Sequence, residues 1–398
     1  MASKGPLSGI KVLDLSSLIL GPYISQIMAE WGADVIKVEA PAGDITRNIA
    51  TTKTPGMSAI FMNLNHNKRS IVLDLKTPEG QDVLKRLVKN SDVIVHNYRP
   101  RPAKKLGVSY EQLSSINPKL VSCIAVGYGR DGRYSERPAY DDLIQGICGI
   151  ADLNGRYNES RPGYVPTALA DKVGSLMSLS AILAALYDAE KTGVGQEVES
   201  PMFETLASFL LLEHLTGPAY EPPLGPPGHL RQMTPLRRPF KTSDSYICAL
   251  PYTDKHWRSL FKIIDEEALI NDPRFSSVAK RTDNTIELYQ MIENLLQQNT
   301  TEYWLAELEL ADIPFAPVST LDDLLKDPHL HDVGLFEEYE HPSEGRLRRV
   351  KSPVTFSKPM INEPICASSL GENSREILQE AGYDDNQIDR LFKASVSA

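Results

Sequence analysis

Short runs of β-branched residues alternate with helical periods along the first half of the chain, and this order leaves few architectures open. IKVLDL (Ile10 to Leu15) precedes a stretch with Tyr23, Ile24, Ile27, Met28 and Trp31 on one helical face, and DVIKVE follows. SIVLDL (Ser70 to Leu75) leads into PEGQDVLKRLVKN, where Pro78 suits a first helical turn and Val83, Leu84, Leu87 and Val88 make the buried stripe. DVIVHNY then resumes the strand pattern, and KLVSCIAVGYG adds another strand before a loop rich in Gly, Arg and Pro. Strands that alternate with helices in this way make βαβ units, so the expected class is α/β with a parallel sheet.

Further on, DKVGSLMSLSAILAALYDAEKTG predicts a long helix opening at Asp171, with Leu176, Leu179, Ile182, Leu183 and Leu186 as its stripe and Gly193 as its stop. The Pro-rich stretch from Gly217 to Pro239 carries neither period and predicts a crossing between domains or a cover over a site. Beyond it DSYICAL reads as a strand, and TDKHWRSLFKIID, TIELYQMIENLLQQ and TEYWLAELELA read as helices of a smaller domain. The tail ends in two short helices around SREILQEAG and NQIDRL.

Hydrophobic residues make up 41% of the chain, enough for a sizeable core without staples. The formal charge of −10 argues against nucleic acid or an anionic membrane as partner, since both need a clustered basic surface. A small anionic ligand needs only a local group of donors and stays open. Cys123, Cys148, Cys248 and Cys366 lie far apart with no CxxC pair, which fits reduced thiols and no zinc or dithiol site. The start, MASKGPLSG, lacks a secretory layout, and no run reads as a membrane span, so the chain is expected in the cytoplasm.

Gly127, Gly129 and Gly132 fit GxGxxG, but RYSERPAY follows where a dinucleotide site needs a helix, so a turn is expected. His329 and His331 lack the further ligands of a metal centre and are expected on a surface loop; no metal is predicted. No GxSxG, GxxxxGK[ST] or HExxH motif occurs. Asp171 reads first as an N-cap. The same position gives a carboxylate some chemical value, because the positive end of the helix favours the ionised form and small neighbours such as Ala168, Ala170 and Gly174 leave room for a substrate.

The order of segments resembles that of the family III CoA-transferases of the CaiB/BaiF type. The likeness begins with IKVLDLSSLILGPYISQIMAEWGADVIKVEAPAGD, continues through NHNKRSIVLDLKTPEG, DVIVHNYRP, GYGRDGRYSERPAYDDLIQG and ALADKVGSLMSLSAILAALYDAEKTGVGQEVE, and ends with LGENSREILQEAGY. It spans nearly the whole chain. The resemblance implies that Asp171 is the catalytic nucleophile, forming an aspartyl anhydride and then an aspartyl-CoA thioester. It implies coenzyme A thioesters and carboxylic acids as substrates, with no permanently bound cofactor.

It also implies coenzyme A contacts at Ile19, Leu20, Leu73 through Lys76, Asn97, Tyr98, Arg99 and Lys105, and by their charge Lys76 and Lys105 suit phosphate groups. Tyr140 and Asp141 are expected near Asp171. The implied architecture is a large Rossmann-like domain from residues 1–216 and 330–398, a linker at 217–239, a small α/β domain at 240–329, and an interlocked homodimer.

Three departures bear on detail. EAPAGD stands where some relatives have an Arg after the second strand, Lys105 stands where Arg occurs, and a Gly-rich loop of the second domain is absent. Rival readings are an α-methylacyl-CoA racemase, which carries His where this chain has Tyr140, and a silent CoA-binding protein. Tyr164, Met202 and Tyr252 are candidates for an acyl pocket, and Arg137, Arg237 or Arg238 for holding the second carboxylate of a dicarboxylic acid.

Overall fold

The computed structural model describes residues 5–358, 360 and 365–398. Six strands form one sheet: β1 (Lys11–Asp14), β2 (Asp34–Glu39), β3 (Lys68–Val72), β4 (Val93–His96), β5 (Val121–Val126) and β6 (Glu197–Pro201). Their order is β3-β2-β1-β4-β5-β6, and every neighbouring pair is parallel, as the alternating pattern predicts. All four residues of β4 (VIVH) are buried, which is why the strand reads as an unbroken apolar run.

Helix α1 (Leu20–Glu30) follows β1, α2 (Pro78–Lys89) links β3 to β4, and α3 (Pro100–Leu106) follows β4. The Thr77 side chain accepts from the Gly80 N–H and Pro78 occupies the first turn of α2, while Val83, Leu84, Leu87 and Val88 are all buried. They share a core with Leu13, Ile71 and Ile94, and with Ile377, Leu378 and Ile388 from the end of the chain. Asn373 ties that end to β3, its N–H donating to the Ser70 carbonyl and its Oδ1 accepting the Ser70 N–H, both at 3.0 Å.

Helix α4 (Asp141–Ile147) and helix α5 (Leu169–Thr192) complete the frame around the site. The buried face of α5 is Gly174, Ser175, Ser178, Leu179, Ile182, Ala185 and Ala189, whereas Leu176 is 50% exposed, so the predicted leucine stripe is corrected to a stripe of mostly small residues. The reason is close approach: a Cβ on Gly174 would stand 2.9 Å from Leu20 Cδ1. Ser175 Oγ donates to the Leu20 and Asp171 carbonyls at 2.6 and 2.7 Å, which locks α5 to α1. An 18-residue stretch of the 24-residue α5 has a mean hydropathy of 1.5, so the helix is long and apolar enough to cross a membrane by length and composition alone, contrary to expectation, yet it packs along β5 and β6.

The chain divides into two units. One comprises the chain up to Ile150, Tyr164–Phe209 and Asp332–Ala398, so both chain ends build the sheet-bearing unit; the other comprises Ala151–Gly163 and Leu210–His331. The second unit has a three-stranded antiparallel sheet of Phe240–Lys241, Tyr246–Ala249 and Phe315–Pro317. Helices Asp254–Ile263, Thr285–Leu296 and Thr301–Leu310 supply Trp257, Phe261, Ile292, Leu296 and Trp304 to its core. The Pro-rich stretch lies in this unit and includes a short helix, Leu230–Met233.

Candidate active site

Because β1 lies between β2 and β4, the loops leaving the C-terminal ends of β1 and β4 part and open a crevice. It holds a cavity of about 660 Å³. Ser17, Leu18, Ile19 and Leu20 line it from the loop after β1, and Asn97, Tyr98 and Arg99 line it from the loop after β4. The stretch from Arg137 to Asp142, the segment from Tyr164 to Ala168, Asp171 and Met202 close it.

The loop after β1 is held in a conformation that costs free energy. Leu18 has a φ of +69°, in the left-handed region that a leucine rarely adopts. Asn97 braces it, with Nδ2 donating to the Ser17 carbonyl at 2.9 Å and Oδ1 accepting the Ser17 N–H at 3.3 Å, while the Leu18 N–H reaches Asp44 Oδ1 at 3.3 Å.

Beneath that loop lie three carboxylates and three cations, Asp14, Glu39, Asp44, Lys37, Arg47 and Lys68, none more than 4% exposed. Lys68 Nζ is 3.0 Å from Asp14 Oδ2 and donates to the Pro22 carbonyl and Asn65 Oδ1, both at 2.9 Å. Lys37 Nζ is 3.0 Å from Asp44 Oδ2 and donates to the Ser16 carbonyl at 3.0 Å. Arg47 grips Glu39 with two nitrogens, at 2.6 and 2.8 Å. Burial alone would raise the Asp14 pKa, but Lys68 and Lys37 outweigh it and hold that carboxyl far below the usual range. Burial in turn pulls Lys68 down to about 8 against the attraction of Asp14. Sequence reasoning missed this cluster. Its signal was a charge beside the buried apolar residues of each of three strands: Asp14 closing KVLD, Lys37 within DVIKVE and Lys68 opening KRSIV.

Asp171 is the third residue of α5 rather than its N-cap; the cap position is Ala168, with no side-chain bond. Instead a carboxylate from another helix serves that end, since the Asp171 N–H donates to Asp141 Oδ1 at 3.0 Å. The other Asp141 oxygen accepts from Gln145 Nε2 at 2.6 Å. The Asp171 carboxyl is partly buried, and burial first, then the Asp141 charge, push its pKa up to about 7 against a smaller pull from Lys172. The helix end is expected to favour the ionised form, but burial and the Asp141 charge outweigh it.

Ile19, Leu20, Asn97, Tyr98, Arg99, Tyr140, Asp141 and Asp171 are thus brought together around one cavity. Leu73, Lys76 and Lys105 do not line it. Leu73 is 1% exposed within the core, so its side chain is withdrawn from any ligand, whereas Lys76 and Lys105 point to solvent. Arg47, the first arginine after β2, is taken up by Glu39 and cannot replace the arginine missing from EAPAGD. Tyr164, Met202 and Arg137 line the Asp171 cavity, but Tyr252, Arg237 and Arg238 line a separate one of about 500 Å³ in the other unit. Gly127, Gly129 and Gly132 lie in the turn-rich stretch after β5 with no helix before Asp141.

A family model described as CoA-transferase family III matches residues 7–366. Succinyl-CoA:glutarate CoA-transferase of Homo sapiens is 30% identical over 98% of this chain and 90% of its own length. Formyl-CoA:oxalate CoA-transferase of Escherichia coli O6:H1 is 31% identical over 96% of this chain and 97% of its own. Among solved structures, a CaiB/BaiF family protein of Brucella suis superposes with a TM-score of 0.80 at 30% identity, covering 95% of this chain and 100% of that one. The hypothetical protein Rv3272 of Mycobacterium tuberculosis gives 0.81 at 27% identity, covering 95% and 100%. With one family model running through most of the chain and such identity held along nine-tenths or more of these relatives, the chain belongs to CoA-transferase family III.

Proposed function

We propose that this enzyme moves coenzyme A from an acyl-CoA donor to a dicarboxylic acid through covalent intermediates on Asp171. The observation that carries the reading is a partly buried carboxyl, poised near neutral pH, on the wall of a cavity at the switch point of the sheet. An Asp171 oxygen attacks the thioester carbonyl, the C–S bond breaks, and an acyl-aspartyl anhydride forms beside the CoA thiolate. The thiolate attacks the aspartyl carbonyl, releasing the donor acid and leaving an aspartyl-CoA thioester. The acceptor carboxylate then attacks, a second anhydride forms, and the thiolate takes the new acyl group, regenerating Asp171. No electron is gained or lost and no proton is consumed.

Coenzyme A would lie along Ile19, Leu20 and Asn97 to Arg99, with its phosphates toward the exposed Lys76 and Lys105. An interlocked homodimer in the cytoplasm remains the expected state, and it gives occupation to Leu143, Ile147, Leu176 and Met177, each at least 40% exposed in one chain. Among the described residues no histidine lines the cavity, which argues against the racemase reading.

Incubation with succinyl-CoA or acetyl-CoA followed by hydroxylamine is expected to convert Asp171 to its hydroxamate, read by peptide mass; an unmodified Asp171 with every donor sinks the mechanism. Only the ionised carboxylate attacks, so kcat/KM for the acyl-CoA is expected to rise with pH around 7. Removing the Asp141 charge stabilises that ionised form, so Asp141→Asn moves the acid limb to lower pH, and an unmoved limb contradicts the electrostatic account.

Arg137 supports the choice of a dicarboxylic acceptor: it lines the cavity, stacks over Tyr134 at 4.1 Å, and has no acidic partner among the described residues. Arg137→Met is expected to raise KM for glutarate or succinate by about 10- to 100-fold, the scale of a charged hydrogen bond, while a monocarboxylic acceptor changes little. Equal losses for both kinds of acid would remove the arginine from specificity.

A further inference from the structure

Gln145 is wholly buried, and its carboxamide is polar on every side that matters. Nε2 donates to Asp141 Oδ2 at 2.6 Å and to the Thr167 carbonyl at 3.1 Å, with a longer contact to the Val165 carbonyl at 3.4 Å. Oε1 accepts the Val165 N–H at 2.9 Å. Asp141 and Gln145 stand four residues apart on α4 and so share a face. Val165 to Thr167 is the segment that runs directly into α5, and Asp141 Oδ1 takes the N–H of Asp171. One buried amide therefore touches both supports of the same carboxyl: the backbone that delivers it and the charge that stands beside it.

We propose that Gln145 is a positioning residue for the reaction, holding Asp141 against the N–H of Asp171 and pinning the Val165 to Thr167 segment that brings α5 to the cavity. The inference rests on the reading of Asp171 as nucleophile. Its chemistry calls for glutamine, which donates to a carboxylate while accepting from a backbone N–H. An ionised glutamate cannot make the first bond, and an apolar side chain of similar size can make neither.

The groups around Asp171 limit what can move its titration. Asp141 and Asp142 come from α4, and Arg137 and Tyr140 from the loop before it. Tyr98 and Arg99 follow β4, Tyr164 precedes α5, and Lys172 is the next residue along. Arg99 is anchored to the Glu136 carbonyl at 2.7 Å. Of these groups, Asp141 is the one that Gln145 binds by its side chain.

The test is kcat and kcat/KM against pH for one acyl-CoA donor, in the parent enzyme and in Gln145→Met, Gln145→Glu, Asp141→Asn and the Asp141→Asn/Gln145→Met double variant. Gln145→Met is expected to lower kcat by roughly 30- to 100-fold, as loss of close positioning does, with KM for the donor within about threefold. Its acid limb moves to lower pH by at least about half a unit, because an unheld Asp141 turns toward solvent. Gln145→Glu keeps an acceptor for the Val165 N–H but sets a carboxylate against Asp141, and its limb moves to higher pH. In the double variant the second substitution moves the limb no further.

A uniform loss of rate with the limb of the parent enzyme in folded variants would reduce Gln145 to a packing residue. If Gln145→Met does not fold, the upward shift in Gln145→Glu decides, and an unmoved limb there overturns the proposal. Failure of the underlying reading shows separately, as transfer activity retained by Asp171→Asn whatever happens at Gln145.

Discussion

The Asp171→Asn enzyme is expected to lose CoA transfer by on the order of 10⁴-fold or more, the scale set by removing a covalent nucleophile, and at the same time to melt at a higher temperature than the parent at pH 8. Both results come from one cause. Burial and the neighbouring Asp141 raise the Asp171 pKa from 3.8 to about 7. Between those two values the native state holds a proton that the unfolded chain has released, so the parent loses stability as pH rises through this window. Above about pH 7 the penalty is complete and constant. An uncharged amide carries none of it, so the gap in melting temperature opens between roughly pH 4 and 7 and stays open beyond. Allowing for the partial exposure of Asp171, about 1–3 kcal/mol is at stake, equivalent to a few °C. Paired kinetics and thermal melts over this pH range check the forecast. A variant that is inactive but less stable than the parent at pH 8 would mean that the carboxylate is favourably paired when ionised, against the geometry of the cavity.

How far the sequence could be read depended on whether a residue's role was local. Strands β1 to β5 and helix α2 were legible because their apolar periods are set by burial on elements close in sequence, as Val83, Leu84, Leu87 and Val88 illustrate. Strand β6 went unread because Glu197 and Glu199 break its apolar run, and the structure explains them: β6 is the edge of the sheet, and both glutamates pair with Arg130. The face of α5 was misjudged because leucines at helical spacing outweigh Gly174, Ser175 and Ser178 in any hydropathy reading. Close packing on Leu20 in fact selects the small residues. Asp171 itself was found through the resemblance and not through its spacing, which suggested a cap. Burial raises its pKa most, the second cause, Asp141, lies thirty residues upstream, and no local pattern reveals a carboxylate brought in by another helix. Leu73 marks the opposite limit, a position named by likeness whose side chain belongs to the core.

Lys68→Met is expected to destabilise the sheet-bearing unit by about 3–5 kcal/mol, and to lose part of that cost when Asp14→Asn is added. Lys68 and Asp14 are 3.0 Å apart and both essentially unexposed, inside a group whose three cations balance three carboxylates. Removing Lys68 alone leaves one carboxylate in excess where water cannot reach it. Asp14 then keeps Lys37, at 3.9 Å, the Ser16 N–H at 3.0 Å, and hydroxyl donors from Ser16 and Ser25. Removing both charges restores neutrality and lets Lys37 remain with Asp44 at 3.0 Å. Urea unfolding of the single and double variants at pH 7 measures the difference. If the double variant is no more stable than Lys68→Met, charge balance is not what holds this cluster together. The same loss should reach the reaction, because Lys37 and Asp44 bond directly to the loop of Ser16 to Leu18 that lines the cavity. A folded Lys68→Met enzyme is therefore expected to show a higher KM for acyl-CoA, and the double variant a KM nearer that of the parent. The strained backbone at Leu18 is held by these bonds from Lys37 and Asp44 together with those of Asn97.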